Sequence, residues 1–452
     1  MEINKVIVAG AGKSGISAMG LLLRHGASVI LFDQNKELDT EKVLAQFEEK
    51  DRIEVELGEL RDETIASADL FVISPGIPTD ADFVKKVEAA GVPVWGEIEL
   101  AYYYTKGTIA AITGTNGKTT TTTLVGEIFK AHSSNTLVVG NIGLPYTKYA
   151  DTTDDSTLIA AEISSFQLET VHEFKPHVSA VLNLTPDHLN RHYTLDNYYN
   201  AKLRIAENQD KNDYMILNYD DPETKVRCES ISNTNKVWFS RIEELSEGVY
   251  VSDGKIIIKQ ADKVTEVMDV KDIKILGTHN LENVLAAVGI TFYMGIPVET
   301  IAETVRNFQG VEHRIEFVRE LNGVKYYNDS KGTNPDAAIK AIQAMDTTTE
   351  LIAGGYDKKS TYDEWIEAFD GKVKHLILIG ATADDIAKCA AAHGFTDIIR
   401  VDSLKDAVLA AHKNAEPGDN VLLSPACASW DMFKSYEERG TLFKEYVNEI
   451  EG

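Results

Sequence analysis

The sequence predicts an α/β protein of three domains, in which helices cover parallel sheets. From the first residues to the last, short apolar runs alternate with amphipathic stretches, which is the pattern of βαβ units. At 452 residues the chain exceeds one ordinary hydrophobic core. Two glycine-rich turns, each between a strand pattern and a helix pattern, further indicate strand ends that approach phosphate groups.

Residues 1–98 are predicted to form a Rossmann-like N-terminal domain. Its β-type runs are Lys5–Gly10, Ser28–Asp33, Ile53–Gly58, Leu70–Gly76 and Val92–Gly96. The first run leads into the turn Gly-Ala-Gly-Lys-Ser-Gly at residues 10–15, and Asp33 ends the second run. Glycines let the backbone approach a phosphate, and an acid in that place binds a ribose hydroxyl. The motif predicts a dinucleotide or nucleotide-diphosphate ligand without separating NAD from a UDP-sugar; the alternative is a glycine turn that binds nothing.

Residues 99–310 are predicted to form a central, P-loop ATPase-like domain. The run Thr108–Thr113 enters the turn Ile-Thr-Gly-Thr-Asn-Gly-Lys-Thr-Thr at residues 112–120, and a helix pattern starts at Lys118. In such a loop, backbone N–H groups cradle phosphate oxygens, the lysine neutralises the β- and γ-phosphates, and the next hydroxyl binds Mg²⁺. The strict motif has glycine where Ile112 stands, but the flanking strand and helix favour an ATP site over a turn with a solvated lysine.

The rest of the central domain is predicted to continue the sheet and to end in helices. Its further β-type runs are Thr136–Asn141, Thr157–Ile163, Val178–Leu184 and Tyr214–Asn218. The polar region 220–274 is interpreted as a small insertion or edge sheet, and residues 279–308 as mainly helical. Residues 311–452 are predicted to form a C-terminal, Rossmann-like, doubly wound domain. Its β-type runs are Val324–Tyr327, Leu351–Gly355, His375–Gly380, Ile398–Val401 and Asn420–Ser424.

Composition restricts the function classes. A formal net charge of −26 is unfavourable for nucleic acid or anionic lipid, so anionic ligands must be held locally by helix N-termini and a few cations. The longest apolar stretch, residues 284–298, is too short and too interrupted for membrane insertion. The three cysteines are far apart and the N-terminus lacks a signal-peptide pattern, so we expect a cytoplasmic protein, and we expect it to be a monomer.

Two nucleotide-type loops in one chain exclude a simple dehydrogenase, because hydride transfer needs no γ-phosphate clamp. The segment Gly114-Thr115-Asn116-Gly117-Lys118-Thr119 resembles the ATP loop of the Mur ligase superfamily, and other signatures of that superfamily follow in order. The resemblance implies an amide-forming ligase that uses ATP and two Mg²⁺ ions. The ATP-binding residues that it implies are Gly114, Thr115, Asn116, Gly117, Lys118, Thr119, Thr120, Asn280, Asn283, Arg314, Asp329 and Lys331.

The resemblance also implies a metal site and catalytic residues. The metal ligands would be Thr119, Glu162, His188 and Lys202, and the catalytic residues Lys118, His188 and Lys202. Without the resemblance, Glu162 would be interpreted as a capping or solvated strand-end acid, His188 as a structural histidine and Lys202 as a solvated helix lysine. In this superfamily the lysine that matches Lys202 is carbamylated by CO₂, which turns a cation into a metal-binding carboxylate.

The C-terminal segment 422–440 resembles the D-glutamate-adding branch, the MurD family, whose acceptor substrate is UDP-N-acetylmuramoyl-L-alanine. The substrate-binding residues implied are Gly12, Lys13, Ser14, Gly15, Asp33, Gly76, Asn141, Ser164, Gln167, His188, Thr333, Lys358, Ser429 and Tyr436. The adjacent Lys359 is an alternative to Lys358 as the partner of D-glutamate. Two other functions stay open: a Mur ligase with another amino-acid specificity, such as the L-alanine-adding one, and a non-catalytic nucleotide-binding protein on the same fold.

Overall fold

The computed structural model describes residues 2–356 and 360–451 and contains three sheets flanked by helices. The chain divides into two compact units, one formed by Met1–Val270 and Glu282–Val305 and the other by Lys271–Leu281 and Arg306–Gly452. The first unit holds a five-stranded and a nine-stranded sheet, and the second unit holds a six-stranded sheet. The predicted α/β class is confirmed. No helix in the described part of the chain is long and apolar enough to cross a membrane.

The N-terminal sheet is parallel throughout, as its βα alternation predicts. Its elements are β1 Lys5–Ala9, α1 Lys13–Arg24, β2 Ser28–Asp33, α2 Thr40–Leu44, β3 Ile53–Leu57, α3 Asp62–Ala66, β4 Leu70–Ile73, α4 Asp82–Ala89 and β5 Val94–Gly96. The strand order is β3-β2-β1-β4-β5. The direction of winding reverses between β1 and β4, and ligands of doubly wound sheets bind in the crevice at such a point. Residues 10–15 and 74–76, which follow these two strands, therefore flank the predicted nucleotide site.

The central sheet is larger than the sequence predicts. Its elements are α5 Glu97–Tyr104, β6 Thr108–Thr113, α6 Lys118–His132, β7 Thr136–Gly140, β8 Leu158–Glu162, α7 Ser165–Leu168, β9 Val178–Val181, α8 Leu189–His192, α9 Leu195–Leu203, β10 Tyr214–Asn218, α10 Pro222–Cys228, β11 Asn235–Ser240, β12 Gly248–Ser252, β13 Lys255–Gln260 and β14 Lys263–Asp269. The strand order is β14-β13-β12-β11-β10-β9-β6-β8-β7. The region 220–274 thus extends this sheet at one edge, where β12, β13 and β14 pair antiparallel. Helices α11 Thr278–Tyr293 and α12 Val298–Asn307 follow, in the region predicted to be helical.

The six-stranded sheet has a hydrophobic core on each face. Its elements are β15 Glu316–Leu321, β16 Val324–Asn328, α13 Pro335–Ala344, β17 Thr349–Ala353, α14 Asp363–Glu367, β18 Val373–Leu378, α15 Ala383–Ala392, β19 Ile398–Arg400, α16 Leu404–Asn414, β20 Asn420–Leu423 and α17 Tyr436–Glu449. The strand order is β15-β16-β20-β17-β18-β19. Strand β15 is absent from the sequence prediction. It pairs antiparallel with β16 through a tight turn at Asn322 and Gly323, both with positive φ, and an Asn-Gly pair between β-type runs is a hairpin signal.

Candidate active site

The glycine-rich loop after β6 closes around the side chain of Lys118. Lys118 begins α6, and its Nζ donates hydrogen bonds to the carbonyl oxygens of Gly114 at 2.8 Å and Thr115 at 2.9 Å. Gly117 has a φ of +84°, and a Cβ atom there would collide with Oδ1 of Asn283. The predicted ATP-loop residues thus form one compact turn, with a cation at a helix N-terminus, an arrangement suited to phosphate. Asn283 lies against this turn, and its predicted contact with ATP stays a prediction.

A second segment, residues 183–185, holds this loop in place. Oδ1 of Asn183 accepts a hydrogen bond from the backbone N–H of Asn116 at 2.8 Å, and Nδ2 of Asn183 donates one to the carbonyl oxygen of Asn116 at 3.2 Å. The hydroxyl of Thr115 donates to the carbonyl oxygen of Thr185 at 3.0 Å and accepts from the Thr185 N–H at 3.1 Å. The sequence analysis did not single out Asn183 and Thr185. Their position after β9, next to β6 in the sheet, is the signal that could have identified them.

Glu162 ends β8, beside the strand that carries the loop. The pairing of β6 with β8 sets Ile112 opposite Glu162, so the carboxylate lies next to the start of the loop. Its side chain is buried, and Oε1 accepts a hydrogen bond from Nδ2 of Asn141 at 2.8 Å. Oε2 is buried without a hydrogen-bond partner. A buried carboxylate oxygen left without a donor is costly, and a cation would satisfy it.

Lys202 is buried on α9 and reaches the same loop. Its Nζ donates to the carbonyl oxygen of Gly114 at 2.8 Å and lies 4.6 Å from the ring centre of Tyr198. Burial, reinforced by the nearby charge of Lys118, holds the pKa of Lys202 well below its ordinary value. The interpretation as a solvated helix lysine is therefore wrong. A neutral amine is the form that reacts with CO₂, so this environment suits the modification that the superfamily implies.

His188 lies at the N-terminus of α8 in a left-handed backbone conformation, with φ of +52°. Its ring is half-exposed, 4.9 Å from the ring of Phe166. A nearby histidine that the sequence analysis did not select, His192, is buried, stacks on Phe166 and contacts Ser165 Oγ at 3.0 Å. A non-glycine residue held at positive φ is uncommon and marks sites where the surrounding structure imposes the conformation.

Ser164 and Gln167 form the capping box of α7. The Ser164 hydroxyl accepts from the Gln167 N–H at 3.3 Å, and Gln167 Oε1 accepts from the Ser164 N–H at 2.9 Å. This pair satisfies two otherwise orphaned N–H groups, so both residues have a structural role. Their predicted contact with substrate stays a prediction.

The loop after β1 also has the form that its motif predicts. The N–H of Ala11 donates to Oδ2 of Asp33 at 2.9 Å, which ties the loop to the end of β2. A Cβ atom at Gly15 would collide with the carbonyl oxygen of Gly10, so this position requires glycine. Ser74, after β4, keeps a buried hydroxyl without a hydrogen-bond partner beside this loop. Gly12 precedes α1, Lys13 and Ser14 begin that helix, and Gly76 lies in the turn after β4.

In the second unit, Asp329 follows β16 in a buried position. Its Oδ2 accepts from Ser424 Oγ at 2.8 Å, and its Oδ1 accepts from the N–H of Ile315 at 3.3 Å. Burial raises the pKa of Asp329 to about 7, against the opposing influence of Ser424 and of the Arg314 charge. Arg314 lies between His313 and Ile315, which both have positive φ. Asp329 and Arg314, which are both predicted to bind ATP, are thus brought close to each other.

A buried arginine organises the remaining predicted residues of this unit. Arg439, on α17, donates from Nε to Ser330 Oγ at 3.0 Å and from Nη2 to the Cys427 carbonyl oxygen at 3.2 Å. It therefore joins the loop that carries Lys331 to the segment that leads to the buried Ser429. Lys331 Nζ lies 5.9 Å from the ring centre of Tyr436. The sequence analysis quoted Arg439 only as part of a motif; its burial was not readable from one sequence.

For the other predicted residues, the structure gives a place in the fold or a hydrogen bond within the protein. Thr119 and Thr120 lie in the first turn of α6. Asn280 donates from Nδ2 to the carbonyl oxygen of Leu276 at 2.6 Å. The backbone N–H of Thr333 donates to the carbonyl oxygen of Lys331 at 2.8 Å. The predicted D-glutamate partner Lys358 lies outside the described residues, as does Lys359.

Three family models match successive parts of the chain. They are the Mur ligase MurD-like N-terminal domain at residues 4–96, the Mur ligase middle domain at residues 112–291, and the Mur ligase glutamate ligase domain at residues 313–427. Together the three matched regions cover most of the chain, and each contains one of the three sheets or the larger part of it.

Curated relatives match over their full length. The chain is 52% identical over 446 residues to the UDP-N-acetylmuramoylalanine–D-glutamate ligase of Lachnoclostridium phytofermentans, a match that covers 99% of this chain and 98% of that protein. It is 50% identical over 456 residues to the protein of the same name from Caldanaerobacter subterraneus subsp. tengcongensis, with 100% and 99% covered.

Solved structures share the fold at low identity. MurF from Acinetobacter baumannii superposes with a TM-score of 0.61 at 17% identity, covering 98% of this chain and 93% of that one. MurF ligase from Thermotoga maritima, in complex with ADP, gives a TM-score of 0.57 at 16% identity, covering 99% and 96%. At such identities the likeness concerns the fold alone.

Proposed function

We propose residue roles for the reaction of this chain, which belongs to the Mur ligase family and, within it, to the UDP-N-acetylmuramoylalanine–D-glutamate ligases. It is an ATP-dependent ligase that adds D-glutamate to UDP-N-acetylmuramoyl-L-alanine in the synthesis of peptidoglycan precursors. Relatives of that name align with it from end to end at about half identity, so another amino-acid specificity or a non-catalytic role is not favoured.

The observation that carries the residue roles is the grouping of Lys118, Glu162 and Lys202 around one loop. In the proposed reaction a carboxylate oxygen of the L-alanine group attacks the γ-phosphorus of ATP, and ADP leaves. The nitrogen of D-glutamate then attacks the acyl carbon, an amide bond forms, and phosphate leaves. Positioning and charge neutralisation dominate such phosphoryl transfer, and Lys118 at a helix N-terminus supplies both. The base that takes the amine proton is unassigned, with His188 as the candidate.

The residues beside the loop suit Mg²⁺, and we propose two ions. The buried Oε2 of Glu162 is a hard oxygen without a donor. The other proposed ligands are the hydroxyl of Thr119, the ring of His188 and a carbamate on Lys202. Bound Mg²⁺ would neutralise charge on the β- and γ-phosphates. Glu162 is itself held by Asn141, so its orientation is fixed before ligands arrive.

Lys202 is proposed to carry a carbamate. The nitrogen of the neutral amine would form a bond to the carbon of CO₂ and lose one proton to solvent, which converts a buried amine into a buried carboxylate. Both the burial of the amine and its low pKa favour this change, because the ammonium form is poorly solvated there.

Further roles are proposed for the two other sheets. Residues 12–15, Asp33 and Gly76 would hold the UDP group in the crevice of the first sheet, with Asn141, Ser164 and Gln167 as additional contacts to this substrate. Asn280, Asn283, Arg314, Asp329 and Lys331 would bind ATP; Thr333, Lys358, Ser429 and Tyr436 would bind the D-glutamate end. The three domains proposed to carry these roles are residues 1–98, 99–310 and 311–452.

The test is an amino-acid panel. The chain is incubated with ATP, Mg²⁺ and UDP-N-acetylmuramoyl-L-alanine, and each of D-glutamate, L-glutamate, L-alanine and D-alanine is offered in turn, while phosphate release and product mass are recorded. Only D-glutamate should give phosphate and an amide together. A second incubation offers UDP-N-acetylmuramate as the acceptor with the same amino acids, and an amide formed there with L-alanine would favour the rival specificity. ATP binding without turnover on any amino acid would favour a binding protein.

We also propose a monomer that works in the cytoplasm. The supporting observations are the three unpaired cysteines and the nucleotide nature of both large substrates. Light scattering coupled to size exclusion should give the mass of one chain, 49.9 kDa, and a mass of twice that value would contradict the proposal.

A further inference from the structure

Two neighbouring helices of the second unit converge on a cluster that the ligase reaction does not use. Asp363 is the first residue of α14, Cys389 lies in the last turn of α15, and His393 caps the C-terminus of α15. The carboxylate oxygen, the thiol sulfur and the imidazole nitrogen all lie within 4.8 Å of one another. Cys389 and His393 are four residues apart, so they project from the same face of the helix.

We propose that Asp363, Cys389 and His393 bind a zinc ion that joins α14 to α15. Sulfur, imidazole nitrogen and carboxylate oxygen are the three ligand types of protein zinc sites. A thiolate is a poor ligand for Mg²⁺, which prefers oxygen, so the cluster selects a borderline-soft metal over the abundant hard cation. With three protein ligands, water would complete a tetrahedral site.

The distances need little adjustment to reach zinc geometry. Nε2 of His393 lies 3.0 Å from Oδ1 of Asp363. Zinc bonds of about 2.0–2.3 Å at tetrahedral angles place ligand atoms roughly 3.3–3.6 Å apart. Around an ion, the contact between His393 and Asp363 would lengthen slightly and the wider separations, up to 4.8 Å, would shorten, through changes of about 1 Å in side-chain position.

A carboxylate also lies near the second nitrogen of the histidine, just beyond hydrogen-bond distance. Nδ1 of His393 lies 3.6 Å from Oε1 of Glu367, one turn along α14 from Asp363. In zinc sites a carboxylate in this place fixes the tautomer and the orientation of the ring. A simple surface ion pair between His393 and Asp363 would explain the Asp363 contact alone. It does not explain why the thiol of Cys389 and the carboxylate of Glu367 lie beside the same histidine.

The two helices are fixed to each other before any metal binds. Trp365 and Ile366 of α14 are buried in the same core as Ile386 and Ala390 of α15. The ligands therefore sit on a rigid frame, which lowers the entropy cost of forming the site. An ion that binds the folded chain and not the unfolded chain stabilises the folded state by mass action.

Cobalt(II) provides the test, because a thiolate bound to it gives an intense charge-transfer absorption that oxygen and nitrogen ligands do not. The full-length chain, reduced and freed of metals, is titrated with Co²⁺. The wild type should develop the thiolate band at one Co²⁺ per chain, and Zn²⁺ should abolish it. Cobalt bound at Glu162 and His188 would not give this band, since that site contains no sulfur.

Variants assign the ligands. Cys389→Ser should abolish the band, and His393→Asn should weaken Co²⁺ binding at least about tenfold; Glu367→Gln, which acts behind the histidine, should weaken it about tenfold. His132→Asn, which removes an exposed imidazole from α6, is the control and should bind as the wild type does. Zn²⁺ should raise the melting temperature of the wild type more than that of Cys389→Ser, because both proteins keep the proposed metal site at Glu162 and His188.

Three results would overturn the proposal. The first is a wild type without the thiolate band. The second is a band that persists in Cys389→Ser, because the sulfur would then belong to one of the buried thiols, Cys228 or Cys427. The third is unchanged Co²⁺ affinity in His393→Asn, a variant that keeps the cysteine and so guards against misfolding of Cys389→Ser.

Discussion

At the scale of single residues, the chain keeps two ionisable side chains in surroundings that oppose their charge. Lys202 is buried in the first unit and Asp329 in the second. Burial lowers the pKa of the lysine and raises the pKa of the aspartate. Both shifts lower the stability of the charged form of the folded chain. Such perturbed groups cluster at functional sites, and each makes a prediction that pH or CO₂ can test.

The raised pKa of Asp329 predicts that the free energies of unfolding of the wild type and Asp329→Asn differ by an amount that depends on pH. The folded pKa is about 7 and the ordinary value is 3.8, so between these pH values the folded chain binds more protons than the unfolded chain. The free energy of unfolding contributed by this group therefore falls as the pH rises through that window, by an amount on the order of 4 kcal/mol. Asp329→Asn should lose this slope. It should also bind ATP more weakly.

Urea denaturation of both proteins from about pH 4 to about pH 8 measures the difference. The stability of the variant relative to the wild type should rise with pH across this window. The amide loses one hydrogen bond to the Ile315 N–H or the Ser424 hydroxyl, which costs about 1 kcal/mol at every pH and leaves the slope unaffected. If the difference in free energy of unfolding between the two proteins stayed constant with pH, the pKa of the Asp329 carboxylate would not be raised.

The proposed carbamate of Lys202 predicts that the ligase reaction requires CO₂. Stripping CO₂ from enzyme and buffer should lower turnover by at least about tenfold, since a buried ligand carboxylate would be lost, and bicarbonate should restore it. With ¹³CO₂ the enzyme should show one protected carbamate signal in its carbon NMR spectrum. Lys202→Arg should lack both the signal and the response, while Lys148→Arg, at an exposed site, should keep both. Equal turnover with and without CO₂ would count against the carbamate.

At the scale of elements, the groups that we propose to carry the chemistry follow the carboxyl ends of parallel strands. The loops after β1, β6 and β16 each bring backbone N–H groups or charged side chains to one edge of a sheet. The loop after β6 is the most constrained, because hydrogen bonds from Asn183 and Thr185 hold it from a neighbouring strand end. Its glycines are consequently required by space as well as by conformation.

Gly117→Ala tests this constraint against Gly254→Ala. Both glycines have positive φ, +84° and +73°, so alanine costs each about 1–2 kcal/mol of backbone strain. Only at position 117 would the added methyl group also collide with Asn283; position 254 faces open space. Both variants should lose stability in thermal melts, and Gly117→Ala at least as much as Gly254→Ala because of the added collision. Only Gly117→Ala should raise the KM for ATP, by about tenfold or more, which corresponds to about 1.4 kcal/mol. An equal KM in the two variants would refute the packing argument.

At the scale of the whole molecule, a chain of net charge −26 uses two large anionic substrates. Long-range attraction cannot gather them, so we expect binding to depend on local donors, for which we propose the helix N-terminus at Lys118 and the loop after β1. The same acidic surface disfavours contact with nucleic acid.

The sequence predicted the sheets and loops well because periodicity and glycine spacing are local signals. It could not show that Lys202 is buried, because burial depends on how α9 packs against a loop far away in the chain. It missed the clamp by Asn183 and the bridging Arg439 for the same reason. Strand β15 was missed although its Asn-Gly turn was readable, and the edge strands of the central sheet were underestimated because polar edge strands resemble loops.

The central claim, that the acceptor carboxylate is phosphorylated before the amide forms, is tested most directly with oxygen isotopes. UDP-N-acetylmuramoyl-L-alanine labelled with ¹⁸O in its carboxylate is incubated with unlabelled ATP, Mg²⁺ and D-glutamate, and the released phosphate is analysed by mass. Each phosphate should carry one ¹⁸O atom per amide formed, because the carboxylate oxygen leaves with the phosphoryl group. Unlabelled phosphate, or phosphate released without amide, would contradict the account.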